Sequence, residues 1–73
     1  MKYDLVGIDG NAFNIIIISY VMSAMKECGF STSDRNDYFK EATSSDYSHL
    51  IVISDEMINR CNEIADDVLI SKL

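Results

Sequence analysis

The residues able to carry chemistry in this 73-residue chain fall into three small groups. The first is the turn Asp9-Gly10-Asn11. Gly10 can take positive φ there, and Asp9 or Asn11 can cap the N–H groups of a following helix. Helix N-termini also attract anions, but a carboxylate in the turn suits a cation better. The second group is Asp55, Glu56, Glu63, Asp66 and Asp67, which reads either as a solvated face or as an acidic contact surface. The third is Cys28 and Cys61, each inside an apolar helical pattern. A secreted disulfide scaffold of this size would carry more cysteines, so both are expected to be reduced core residues. With His49 the only histidine and no CxxC, a metal pair is not expected. His49 also lacks a nucleophile or second histidine beside it, and reads as a hydrogen-bonded or exposed residue. Tyr3, Tyr20, Tyr38 and Tyr47 read as core aromatics with hydroxyls at the boundary, rather than as a platform for stacking bases. The expectation is a non-enzymatic protein with no catalytic residue, no cofactor and no metal.

Composition limits the elements that could position these groups. Seventy-three residues make one domain, near the size at which a single core is marginal and a partner often helps. The chain is 48% hydrophobic and 25% charged with no proline, which is a globular balance. A net charge of -6 with scattered basic residues argues against binding phosphate backbones directly. It serves solubility, or addresses a basic partner as a nucleic-acid mimic would. The longest apolar run is broken by Asn14, Ser19 and Ser23, too short for a membrane span. With only Lys2 ahead of it, it does not resemble a leader peptide, so a cytosolic location is expected.

Residues 2–8, KYDLVGI, alternate imperfectly and favour a strand, which must pair with residues 68–73 or with a second copy. Residues 11–28 follow as a helix. Wound at about 100° per residue, it places Ala24, Ile17, Cys28, Val21, Met25, Ile18, Met22 and Ile15 on one face, which Ile16 and Tyr20 extend. That face is about twice the roughly 100° stripe of an ordinary surface helix. Such a helix needs neighbours on two sides, so a homodimer or another protein partner is expected at Ile15, Ile18 and Met22.

Gly29 stops this helix, and Phe30 is expected to fold back on the core. Ser31 caps a second helix over residues 32–42 that buries Tyr38, Phe39 and Ala42, with Asp34, Arg35, Asp37, Lys40 and Glu41 solvated. Residues 43–46 break it and supply a fresh N-cap. Residues 49–53, HLIVI, favour a strand in isolation. A helical period from Leu50 through Ile53, Met57, Ile58, Cys61, Ile64 and Ala65 to Val68 outweighs that preference and predicts a third helix over residues 46–66. The expected fold is therefore α+β and mostly helical: one N-terminal strand, three helices, and residues 68–73 as a candidate second strand.

Two blocks, DGNAF at residues 9–13 and KEATSSDYSHL at residues 40–50, resemble a family of small proteins from phages, prophages and other mobile elements. The match covers Asp9 to Phe13, Lys40 to Thr43, Asp46, Tyr47, His49 and Leu50, and departs from the family pattern at Ile15 to Ile18, where a small residue is usual. The resemblance implies a setting and no reaction: an accessory protein acting on another protein, in host defence or regulation. A fainter similarity links LVGIDGN at residues 5–11, IVISDE at 51–56 and ADDVL at 65–69 to PIN-like and five-prime nucleases. It implies divalent ions held by Asp9, Asp55, Asp66 and Asp67 for attack on a phosphodiester. The chain is much shorter than that parallel-sheet fold and its acidic motifs come in another order, so a nuclease remnant is the alternative.

Overall fold

In the computed structural model, residues 2–5 and 14–71 are described, with side chains described as far as Val68. Three helices make up this part: α1 (Asn14–Glu27), α2 (Thr32–Thr43) and α3 (Tyr47–Ser71). No strand occurs among the described residues, so the expected α+β class gives way to an all-helical one. The predicted N-terminal strand is absent at residues 2–5 because Tyr3 finds its partners on a side chain. Its N–H donates to Asn62 Oδ1 at 2.8 Å and its carbonyl accepts from Asn62 Nδ2 at 3.0 Å. A carboxamide offers the same donor and acceptor that a neighbouring strand would, which removes the need for one. Residues 6–8 of the predicted strand lie outside the described residues.

The breadth of α1 is matched by two neighbours. Ile17, Ile18, Val21, Ala24 and Met25 are buried, Tyr20, Met22 and Cys28 are half-buried, and the arc joining them spans about 200° at about 100° per residue. Both α2 and α3 pack on this helix, and Tyr3 joins the same core. Ser19, Ser23, Lys26 and Glu27 hold the exposed strip.

The end of α1 is a Schellman motif. Phe30 N–H donates to the Met25 carbonyl at 3.0 Å, Gly29 N–H to that of Lys26 at 3.1 Å, and Gly29 takes φ +89°. Ser31 then opens α2, its side chain accepting from the Asp34 N–H at 3.0 Å. Tyr38 and Ala42 are buried as expected, whereas Phe39 is 42% exposed, since α2 buries only a narrow strip. Arg35, expected in solvent, is half-buried, and its Nε has no hydrogen-bond partner. No glycine ends α2. The hydroxyls of Thr43, Ser44 and Ser45 instead donate back to the carbonyls of Phe39, Lys40 and Glu41, groups that a helix end leaves unpaired.

Asp46 caps α3 through its carboxylate, which accepts from the His49 N–H at 2.8 Å. The helix continues through the β-branched run and on to Ser71, so residues 68–71 are helical rather than the candidate second strand. No glycine or proline stands between Tyr47 and Ser71 to stop it. At 1.5 Å per residue its 25 residues measure about 37 Å, nearly the 41 Å long axis of the molecule.

Candidate functional site

The short turn after Thr43 folds α2 back along α3, with the Tyr38 hydroxyl 2.7 Å from Ser54 Oγ in the buried seam between them. Beside this seam lies a cleft of about 340 Å³. From α2 it takes Asp34, Asp37, Tyr38 and Glu41, and from α3 Ile53, Glu56, Met57 and Arg60. Both sets follow the same i, i+3, i+4, i+7 spacing, which puts each on one helix face. The apolar part is Ile53, Met57 and the Tyr38 ring. Four carboxylates and one guanidinium surround it.

The charged groups are partly oriented by neighbours. The Arg60 guanidinium lies 5.1 Å from the centroid of the Phe30 ring, a cation–π contact that ties it to the end of α1. His49 Nε2 is 3.4 Å from Glu41 Oε1 at the exposed end of the helix pair. Burial pushes the Tyr38 phenol above its ordinary pKa, and its hydrogen bond with Ser54 opposes that shift. Tyr38 therefore stays neutral, and the carboxylates set the sign of the cleft.

A second, open cleft of about 300 Å³ lies between residues 2–3, the end of α1 and the later part of α3. Half-buried Cys28 lines it, and the Cys28 thiol reaches the Tyr3 hydroxyl at 3.5 Å and the Cys61 carbonyl at 3.5 Å. Neither cysteine is in a disulfide. Burial, with a hydrogen bond from Cys28, pushes the Cys61 thiol up to about 12, and burial likewise raises the Tyr3 phenol. On the rim Lys2 Nζ pairs with Glu27 Oε1 at 2.9 Å, which raises the Lys2 pKa and lowers that of Glu27.

The residues singled out in the sequence do not converge on one place. Ile18 is buried at 3% exposure and Met22 packs half-buried against the core, while Ile15 is 58% exposed. The exposed apolar pair on α1 is Ile15 with Ile16. Asp55, Glu56, Glu63, Asp66 and Asp67 are all exposed on α3, but only Glu56 reaches the α2–α3 cleft. Asp9, Gly10 and Asn11 lie outside the described residues.

The sequence reading missed Asp34, Asp37, Glu41 and Arg60 as a set. Their signal was the shared spacing on two consecutive helices, visible only as two solvated faces until the helices are paired. Residues 51–56 form helix, not the strand that a nuclease motif needs. Among the described residues no group of three or more His, Cys, Asp or Glu side chains is placed to hold a metal ion, and no helix is long and apolar enough to cross a membrane. No protein-family model, curated protein or solved structure matches the chain.

Proposed function

We propose that this is a non-enzymatic accessory protein that acts by binding another protein, and that the α2–α3 cleft receives a basic segment of that partner. The observation carrying this reading is the combination of an apolar floor at Ile53, Met57 and Tyr38 with carboxylates from Asp34, Asp37, Glu41 and Glu56 around it. A lysine or arginine side chain fits that pattern. Its aliphatic stem covers the apolar floor while its charged end stays among the carboxylates. Arginine would add paired hydrogen bonds to a single carboxylate. The same charges disfavour a phosphate backbone. The mobile-element setting, with an action on host defence or regulation, is supported by the DGNAF and KEATSSDYSHL blocks alone.

The test is capture of a partner by a tagged chain expressed in its host, beside a variant carrying Asp37→Asn, Glu41→Gln and Glu56→Gln. One dominant protein, retained by the native chain and lost from the helical variant, is the expected result. Equal capture by both would overturn the role of the cleft, and recovery of nothing above background would overturn the binding reading. Self-association is a separate proposal, through exposed Ile15 and Ile16, and light scattering on the native chain and an Ile15→Lys variant tests it.

A further inference from the structure

Cys28 and Cys61 sit on different helices, yet the Cys28 sulfur lies 3.5 Å from the main chain of Cys61. Their exposure differs sharply. Cys61 is 0% exposed, whereas Cys28 is half-buried and lines the open cleft of about 300 Å³. A reagent entering the cleft from solvent therefore meets the Cys28 sulfur, whereas Cys61 offers it no surface.

We infer that Cys28 is a thiol–disulfide exchange site for small disulfides of the glutathione class, and that Cys61 resolves the adduct into an internal Cys28–Cys61 disulfide. In the first step the Cys28 thiol gives its proton to solvent and its sulfur attacks one sulfur of the small disulfide. The new S–S bond forms as the old one breaks, and the departing thiolate takes up a proton. The cleft holds the remaining half as a mixed disulfide. In the second step Cys61 loses its proton, attacks the Cys28 sulfur and expels the second small thiol. Two protein thiols are oxidised by two electrons and one small disulfide is reduced to two thiols, so atoms and electrons balance. Burial holds the Cys61 thiol up at about 12 and so keeps it from attacking first, because the thiolate is the attacking species; the same shift makes the second step the slow one, so the Cys28 adduct accumulates before the internal disulfide forms. The product joins the end of α1 to the middle of α3 and closes a loop between positions 33 residues apart.

The reduced, folded chain is incubated with oxidised glutathione and followed by intact-mass and peptide mass spectrometry. The native chain should pass through a single glutathione adduct on Cys28 and end lighter by two hydrogens. Cys61→Ala should stop at the adduct, and Cys28→Ser should keep the mass of the reduced chain. The oxidised native chain should also melt at a higher temperature than the reduced one, as loop closure predicts. A native chain that stays reduced, or that stops at the adduct, overturns the inference, as does a Cys28→Ser chain that takes up glutathione at Cys61. Should Cys61→Ala lose its helical circular dichroism, the order of the two species in the native time course decides alone: the internal disulfide appearing without a prior Cys28 adduct overturns the inference.

Discussion

The carboxamide of Asn62 holds both main-chain groups of Tyr3, and one side chain thus replaces a rung of a β-ladder. Asn62 is 3% exposed, so removing it leaves two buried groups unpaired. Asn62→Leu should cost about 3 kcal/mol in urea unfolding, because each orphaned group carries its desolvation penalty. Conservative loss of the amide geometry through Asn62→Asp should be no better tolerated, since a carboxylate cannot donate to the Tyr3 carbonyl. Alkaline stability is also set at this scale. The folded chain keeps protons on Cys61 and Tyr3 to higher pH than an unfolded chain does. Their stabilisation is complete below the ordinary thiol and phenol values and is lost as pH rises through the folded ones. For Cys61 the loss should run from about pH 9 to about pH 12. Unfolding followed against pH should show stability falling across that window, and Cys61→Ala should flatten the slope.

The helices are bounded by local chemistry that acts independently of the core. Gly29 is the clearest case: a Cβ built there meets nothing within 4 Å, so only its φ of +89° opposes a side chain. Gly29→Ala should therefore cost about 1–2 kcal/mol of backbone strain with no packing change, measured as a lower urea midpoint at unchanged m value. Asp46→Ala should cost about 1 kcal/mol by removing the acceptor for the His49 N–H. These elements were legible in the chain because caps and stops act over three or four residues. The run at Leu50 to Ile53 was legible for another reason. Its β-branched preference is small per residue, whereas the helical period extends from there to Val68 and is satisfied by burying Leu50, Ser54, Ile58 and Cys61 together. The strand was misread because alternation over a few residues states a preference and supplies no partner.

At the scale of the whole molecule, α1 is covered by α2, α3 and Tyr3, and its central residues are unavailable to another subunit. Ile18→Ala should cost about 2–5 kcal/mol as a core truncation, whereas Ile15→Ala should leave stability within about 0.5 kcal/mol, since Ile15 is 58% exposed. Chemical unfolding of the two variants measures that contrast. Capture of the proposed basic partner at the α2–α3 cleft should weaken as salt rises, because the carboxylates there are exposed to screening.

The amino-acid order by itself determined the three helices, the glycine stop, the two polar caps and the greasy breadth of α1, all of which depend on neighbours within a turn or two. Only the tertiary structure decided that Asn62 would reach Tyr3, that Cys28 would lie against Cys61, and that the acidic faces of α2 and α3 would border one cleft. Each of those meetings joins residues remote along the chain, and their relative placement is set by how the helices share a single core, which no local pattern encodes.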